Sequence, residues 1–401
     1  MTTTTCKVQE ADPPSAATSV LSPRMILLFS LTSALAVANV YSAQPLLESI
    51  AASLNVSPGT IGAVVTTTQI GYAIGLIVLV PLGDCVNRKK LVIIQLLLSV
   101  LALTAAAFAP SLTTLLGAML LVGLMAVVTQ LMVAWAAMLA SPEQRGRVVG
   151  SVTRGIVIGI LLARIISGII ADLAGWRAVY LTAACLLLLI SLVLANVLPA
   201  SNGQTLRTAY PLLLLSVLRL FRTAPQLRKH GRLALLIFAA FSMLWSSMVL
   251  PLTALSLSQT QTGMFGLAGL AGALAATRAG AWADRGWGQR ATGLALVLLT
   301  LSWLPIAALQ SSLLLLVFGV ILLDFAVQTV HVINQSLLVT ARPEAASRLV
   351  GAYMCFYSLG SALGAIAATQ LYAHWGWQAV CCAGAAVSAS AFLCGYGARQ
   401  S

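Results

Sequence analysis

The chain has 401 residues, of which 60% are hydrophobic and only 8% are charged, and its formal net charge is +13. A soluble domain usually carries about a quarter of its residues as charged side chains, so this composition excludes an ordinary soluble protein and predicts a helical membrane protein. The apolar runs do not alternate with polar residues, which excludes a membrane β-barrel.

Twelve apolar segments, separated by proline, glycine and charged residues, predict an all-α fold with twelve membrane-spanning helices. The first six are predicted at 24–45, 59–82, 90–109, 112–139, 148–171 and 176–198. The second six are predicted at 232–254, 263–283, 291–309, 312–340, 349–373 and 376–397. The resulting division is an N-terminal tail 1–23, a six-helix bundle 24–198, a linker 199–231, a second six-helix bundle 232–397 and a tail 398–401.

Lysine and arginine are distributed unevenly between the two sides of the predicted membrane. With the N-terminus in the cytoplasm, most basic residues fall in cytoplasmic segments, and Arg177 is the exception in an outer loop. The positive-inside rule therefore predicts cytoplasmic termini, and this asymmetry explains the net charge without a nucleic-acid partner. The linker contains "PLLLLSVLRLFRTAPQLRKHGR", which predicts an amphipathic helix on the inner membrane surface or, alternatively, a docking surface for a partner.

The two halves of the chain resemble each other. The segment "SPEQRGRVVG" at 141–150 matches "RPEAASRLVG" at 342–351, and "GWRAV" at 175–179 matches "GWQAV" at 376–380. Both matches have the same offset of 201 residues, which indicates duplication of a six-helix unit. Parallel repeats of this kind build transporters whose substrate site lies at the midplane, between the halves.

Two related loops carry a resemblance to a known family. The loop "PLGDCVNRKKL" at 81–91 and the loop "GAWADRGWGQR" at 280–290 are similar to the loop signature of the major facilitator superfamily, which has the pattern Gly-x-x-x-Asp-Arg-x-Gly-Arg-Lys. The chain resembles most the bacterial twelve-helix branches of sugar-efflux and drug-efflux transporters. It departs from the pattern at Val80, Cys85 and Asn87. It also lacks the arginine in span four and the Gly-Pro motif in span five that drug/proton antiporters of the family often carry.

Charged residues at the ends of the predicted helices are candidates for gating contacts, because they can pair with each other and with helix dipoles. The alternative is that the cations simply anchor the topology. The candidates are Asp84, Arg88, Lys89, Asp284, Arg285 and Arg290 in the two signature loops, and Glu143, Arg147, Glu344 and Arg348 in the repeated segments.

A polar stripe lies on the predicted tenth span, within "LLDFAVQTVHVINQSLLV" at 322–339. At about 100° per residue, Asp324, Gln328, His331 and Gln335 share one narrow face. Because lipid offers polar groups no partners, this face is expected to meet protein or water. The family resemblance implies that spans one, four, seven and ten line a central cavity, so the stripe predicts a binding or proton-handling surface there. The alternative is a set of hydrogen bonds to a neighbouring helix.

Arg164 is the other costly group, because it lies well inside the predicted fifth span. Three interpretations stay open for it: pairing with Asp324, binding an anionic group of a substrate, or extension of the side chain outward. Five other polar residues are weaker candidates, and for each of them the alternatives are a place in the cavity lining and a packing hydrogen bond. They are Gln44, Gln69, Tyr72, Gln130 and Tyr357.

The sequence contains no Walker loop, zinc-ligand spacing or nucleophile motif, and its seven cysteines show no metal-ligand spacing. We therefore expect no enzyme activity, cofactor or metal. The favoured prediction is a bacterial inner-membrane secondary transporter that exports a small organic solute by alternating access, coupled to protons through Asp324. The alternatives are uptake or facilitated diffusion, a membrane sensor or scaffold that does not transport, and an inactive family member.

Overall fold

The computed structural model describes residues 22–83, 85–141, 144–198, 210–341 and 346–397, and those residues form helices joined by short turns, with no strand among them. Helices are expected in a chain this apolar, because each backbone N–H and C=O group must find its partner within the segment when lipid surrounds it.

The described part of the N-terminal half forms eight helices in chain order. They are α1 (Pro23–Tyr41), α2 (Leu47–Leu54), α3 (Ala63–Leu82), α4 (Arg88–Ala107), α5 (Leu112–Ala126), α6 (Val128–Leu139), α7 (Arg145–Ala174) and α8 (Trp176–Val197). A short 3-10 turn at Gln44–Leu46 lies between α1 and α2. Polar residues cap several helix starts, as where the Asn87 side chain accepts a hydrogen bond from the Lys90 backbone N at 3.1 Å.

Nine helices follow in the residues that the structure describes from 210 onward. They are α9 (Tyr210–Thr223), α10 (Pro225–Ser247), α11 (Val249–Ala254), α12 (Gln259–Met264), α13 (Gly269–Asp284), α14 (Gly288–Leu301), α15 (Trp303–Ala307), α16 (Leu313–Ala341) and α17 (Ala346–Gly397). Two 3-10 turns, Phe265–Ala268 and Ala308–Gln310, interrupt the series.

Ten helical stretches in the described part of the chain are long and apolar enough to cross a membrane. One of them, within α17, is 48 residues long, and the chain leaves the helical conformation at Gly376, where φ is 72°. The predicted eleventh and twelfth spans lie on either side of this glycine, which tolerates a left-handed conformation because it has no Cβ. The predicted eighth span corresponds to α12, the turn after it and α13 together. The predicted all-α membrane fold of two six-helix halves is confirmed.

The helix that contains the predicted seventh span begins inside the predicted linker. Residues 199–231 are predicted to precede the seventh span, whereas α10 begins at Pro225, because proline at the first helical position fixes φ and needs no hydrogen bond for its missing N–H. Arg228 and Arg232 are therefore exposed side chains on the first turns of this helix. The remaining described part of the linker is α9, which is joined to α3 by the Tyr210 hydroxyl donating to the Val78 carbonyl at 2.7 Å.

Glycines bring pairs of helices into backbone contact at equivalent places in the two halves. In the N-terminal half, Gly155 and Gly159 of α7 face the backbone of Ser30 and Ala34 on α1. In the C-terminal half, α17 packs in the same way on α10, where Gly360 and Gly364 face the backbone of Leu235 and Ala239. A side chain at any of these glycines would overlap the facing helix, so small residues hold each half together, as is common between membrane helices.

The bundle has two chemically different ends. One, which we call the basic end, carries Arg88 and Arg145 at the starts of α4 and α7. The other, which we call the opposite end, carries the turns at Asn55 and Gly175, both with positive φ.

The two halves contact each other near the opposite end. There Gly62 of the N-terminal half lies against Thr369 and the Ala365 carbonyl of α17, and the Thr369 hydroxyl donates to the Gly59 carbonyl at 3.0 Å. On the other side of the bundle, α7 packs on α12, with Gly263 against the Arg164 backbone. The structure is therefore one in which the halves close at the opposite end.

A carboxylate joins the halves at this closed end. Asp172, near the end of α7, accepts hydrogen bonds from the backbone N atoms of Gln259 and Thr260, at 3.0 and 2.8 Å. Those two atoms belong to the first turn of α12, where a helix presents free N–H groups and a partial positive charge. We call this contact the Asp172 clasp.

Candidate functional site

A buried arginine lies where the two halves meet. Arg164 of α7 is only 2% exposed. Its Nε atom donates to the Gln44 side-chain oxygen at 2.7 Å, and its guanidinium carbon lies 3.7 Å from the centre of the Trp245 ring. Stacking on indole stabilises a desolvated guanidinium through the negative face of the ring, so this cation is compensated by groups from both halves.

A buried carboxylate is hydrogen-bonded to the same indole. Asp324 of α16 is 3% exposed, and its Oδ1 atom accepts a hydrogen bond from the Trp245 Nε1 atom at 3.1 Å. Asp324 and Arg164 are close enough for their opposite charges to stabilise each other through space. The acid and the base therefore belong to one cluster in which both contact Trp245, and pairing of the two was one of the three interpretations left open for Arg164.

Aromatic side chains surround the cluster. The hydroxyl groups of Tyr41 on α1 and Tyr357 on α17 are hydrogen-bonded across the interface between the halves. The guanidinium of Arg164 also lies 5.4 Å from the Tyr41 ring centre and 5.7 Å from that of Phe241. The charged groups thus sit in a largely apolar box, where the electrostatic interactions are stronger than in water.

A small cavity adjoins the arginine. Its volume is about 10 Å³, which is room for roughly one water molecule. Two buried polar atoms of its lining, Arg164 Nη2 and Thr262 Oγ1, have no hydrogen-bond partner among the described residues. The lining residues are Gln44, Pro45, Arg164, Trp245, Met248, Val249 and Thr262.

The rest of the predicted stripe meets other partners. Gln328 packs beside Gly272 of α13, and the His331 Nδ1 atom lies 3.1 Å from the Tyr353 hydroxyl. Gln335 is half-buried beside Met354. Of the four stripe residues, Asp324 alone belongs to the arginine cluster, and the others extend from it toward the basic end.

The weaker candidates separate into two groups. Gln44 and Tyr357 belong to the cluster, as described above. Tyr72 and Gln130 form a pair of their own, with the Gln130 Nε2 atom donating to the Tyr72 hydroxyl at 3.2 Å. Gln69 is buried, at 3% exposure, and its side-chain oxygen has no partner among the described residues.

The predicted gating residues are described only in part. Asp84, Glu143 and Glu344 lie outside the described residues, as does the side chain of Asp284. The described cations bind neighbouring groups at the basic end. The Arg88 Nε atom donates to the Gly83 carbonyl at 2.8 Å, Lys89 to the Leu198 carbonyl at 2.6 Å and Arg348 to the Ser216 hydroxyl at 3.5 Å. Arg147, Arg285 and Arg290 are exposed.

Sequence reasoning missed two members of the site, Trp245 and Thr262. An aromatic residue in an apolar span is typical of helix packing, so the periodicity alone gives no reason to select it. One signal was available for Trp245, because an indole N–H in the middle of a span needs an acceptor and the sequence offers few of them.

Comparison with known proteins places the chain among transporters. The family model of the Major Facilitator Superfamily matches residues 29–255 and 232–399. "Uncharacterized transporter YgaY" of Escherichia coli O157:H7 is 43% identical over 370 residues, covering 92% of this chain and 94% of the relative. "Probable transporter SCO4007" of Streptomyces coelicolor is 32% identical over 378 residues, covering 92% and 86%. The relatives are named transporters, in agreement with the expectation that the chain is not an enzyme.

Solved structures show the same fold at low identity. A bacterial homologue of the human lysosomal transporter Spinster, in an inward-facing and occupied conformation, has a TM-score of 0.76 at 12% identity, covering 94% of this chain and 96% of that one. The nucleoside transporter NupG has a TM-score of 0.73 at 16% identity, covering 93% and 98%. The chain is a multi-pass membrane protein that belongs to the Major Facilitator Superfamily of transporters.

Proposed function

We propose that this protein moves a small organic solute across the bacterial inner membrane by alternating access, that transport is coupled to protons through Asp324, and that its direction is export. The observation that carries the proposal is the buried cluster of Arg164, Trp245 and Asp324 at the interface between the halves. Burying two opposite charges in a membrane protein costs free energy that hydrophobic packing does not require, so such groups mark substrate or proton pathways.

The distribution of charge supports an orientation. In this proposal the basic end faces the cytoplasm, following the positive-inside rule, and both termini lie there. The opposite end, where the halves close, then faces the periplasm. The described conformation is accordingly one that is shut toward the outside, and opening requires the contacts between α7 and α12 and between α3 and α17 to part.

The test is transport in proteoliposomes containing the full chain and a pH-sensitive dye. Addition of solutes from a panel of small acids, amines and sugars should produce proton movement with at least one of them. The Asp324→Asn variant should lose this solute-dependent proton movement. Glu48→Gln is the matched control, because Glu48 lies on α2, outside the cluster, and this variant should behave like the unaltered chain.

The outcomes separate the candidate functions. Proton movement that persists in Asp324→Asn would contradict the proposed role of this carboxylate. Solute flux without proton movement would indicate facilitated diffusion, and the driving gradient that produces net flux distinguishes uptake from export. If no solute of the panel crosses the membrane, the proposal of transport fails, and a sensor or an inactive family member becomes the better description.

A further inference from the structure

We propose that the transported solute carries a carboxylate, and that Arg164 and Thr262 hold this group beside Trp245 in a state of the transport cycle in which their cavity, here large enough for one water molecule, has widened. This inference rests on the proposed transport function and adds the chemical class of the substrate. It goes beyond the cluster itself, because it assigns a ligand to two atoms that no contact within the described protein uses.

The first argument is the hydrogen-bonding state of the arginine. Its Nε atom is occupied by Gln44 and one face of its guanidinium by the Trp245 ring, whereas its Nη2 atom is buried without a partner among the described residues. A buried donor of this kind costs free energy until an acceptor reaches it. Carboxylates are the organic groups whose planar pair of oxygens best suits a guanidinium.

The second argument is the position of Thr262. This residue is 5% exposed, its hydroxyl also has no partner in the described part of the chain, and it lines the same cavity as Arg164. A hydroxyl that donates to the second oxygen of a carboxylate would complete the site. Arg164 belongs to α7 and Thr262 to α12, so the ligand would touch both halves where the backbone of Gly263 packs on that of Arg164.

The third argument excludes a cationic ligand. The polar groups at the cavity are a guanidinium, a hydroxyl and the amide of Gln44, and no carboxylate of the described residues belongs to its lining. An ammonium group there would lie beside a buried positive charge with no desolvated anion facing it, which is unfavourable in a medium of low dielectric constant. Asp324 does not line this cavity and already accepts the Trp245 N–H.

Charge balance connects carboxylate binding to proton uptake. Without ligand, the cluster contains one cation and one anion, and a bound carboxylate would add an unpaired negative charge. A proton moving from solvent onto an Asp324 oxygen restores neutrality, so binding of the carboxylate should be accompanied by uptake of a proton. The charged and titratable groups that interact with Asp324 are Arg164 from α7 and Tyr41 from α1. Tyr357 from α17 is hydrogen-bonded to Tyr41, and His331 follows two turns along α16.

The experiment compares ligands that differ only in the head group. Benzoate, benzamide and benzylamine share one ring, and hexanoate, hexanamide and hexylamine share one aliphatic chain. Binding to the purified full chain is measured by thermal shift, and by titration calorimetry in two buffers of different ionisation enthalpy, which counts the protons exchanged. We expect a carboxylate to bind with uptake of about one proton, and the matched amide and amine to bind at least tenfold more weakly.

Variants test the assigned atoms. Thr262→Val keeps the shape of the side chain and removes the hydroxyl, so carboxylate affinity should fall about tenfold, the effect of a hydrogen bond to a charged group. Thr68→Val is the matched control, because Thr68 is a fully buried threonine whose hydroxyl donates to the Val64 carbonyl within α3. Arg164→Lys keeps the charge without the planar fork and should abolish binding. If that variant does not fold, Thr262→Val still decides the question.

Three results would overturn the inference: amides or amines that bind as well as carboxylates, carboxylates that all fail to bind, or unchanged carboxylate affinity in Thr262→Val. These results differ from a failure of the proposed function. A neutral or cationic solute that drives Asp324-dependent proton movement in proteoliposomes would exclude the carboxylate while the transport proposal stands.

Discussion

The Asp172 clasp should hold the opposite end of the transporter closed, and Asp172→Asn should open it. Asparagine has the same shape as aspartate, but one of its two acceptor atoms becomes an N–H₂ group. One backbone N–H of α12 would then face another donor, and the helix start would no longer have a negative charge beside it.

The geometry sets the size of the effect. The two hydrogen bonds are 3.0 and 2.8 Å long and both end on a charged oxygen, yet Asp172 is an exposed residue. Buried hydrogen bonds to charged groups contribute about 1.5–3 kcal/mol each, whereas exposed charges at helix ends contribute about 0.3–1 kcal/mol. A combined loss of about 1–2 kcal/mol corresponds to a change of roughly 5- to 30-fold in the ratio of closed to open molecules.

Electron-resonance distance measurement detects this change directly. Spin labels at Thr60 and His374, both exposed at the opposite end, report the separation of the halves, after the seven native cysteines have been replaced. In the protein with the unaltered clasp, the two labels should lie mainly at the short distance. In Asp172→Asn, a larger fraction of molecules should have them at a longer distance.

A control separates the clasp from simple fraying of α12. Gln261→Met removes a capping contact of this helix, where the Gln261 Oε1 atom accepts from the Ser258 backbone N at 2.9 Å, but keeps the two hydrogen bonds to Asp172. This control should leave the distances unchanged. The reasoning is refuted if Asp172→Asn has the same distances as the unaltered chain, or if Gln261→Met opens the transporter equally.

Two further predictions concern packing and the interface. Gly364→Val should lower the melting temperature by several degrees, because a Cβ there meets the Ala239 backbone, whereas Gly351→Ala on the same helix meets nothing within 4 Å and should be neutral or stabilising by up to about 1 kcal/mol. Thermal unfolding of both variants in one detergent checks the opposite signs. Tyr357→Phe removes the hydroxyl pair with Tyr41 and should raise the open population of the spin-labelled protein about fivefold, the value of one hydrogen bond of about 1 kcal/mol, and an unchanged population would contradict this role.

The sequence predicted the architecture well because lipid restricts the choices of the backbone. Apolar length determines most of the spans, and Gly376 separates the last two as the pattern indicated. Helix α10 begins at Pro225, seven residues before the predicted start of the seventh span at 232, and Arg228 belongs to the predicted linker. Long basic side chains extend from helix ends into water, so charge alone does not mark the limit of a membrane helix.

The site was predictable only where its residues are costly in lipid. Asp324 and Arg164 were selected because the chain otherwise avoids deep charges, and the structure brings them into one cluster. That both would contact Trp245 was not predictable, since the contact of Arg164 with Trp245 depends on how the two halves pack. Nothing in the sequence pointed to Thr262 either, because the cavity that Thr262 lines forms only where α7 packs on α12.

The placement of Trp245 affects how easily the transporter changes state. Gln44 and Arg164 belong to the N-terminal half, whereas Trp245 and Asp324 belong to the C-terminal half, so each ion keeps its hydrogen-bond partner when the halves rotate apart. The contact of Arg164 that breaks during this rotation is that of its cation with an aromatic face, worth about 2 kcal/mol when desolvated, whereas removing one partner of a buried ion pair costs about 3–5 kcal/mol. An indole that contacts both ions therefore lowers the free-energy cost of exchange between the inward and outward states.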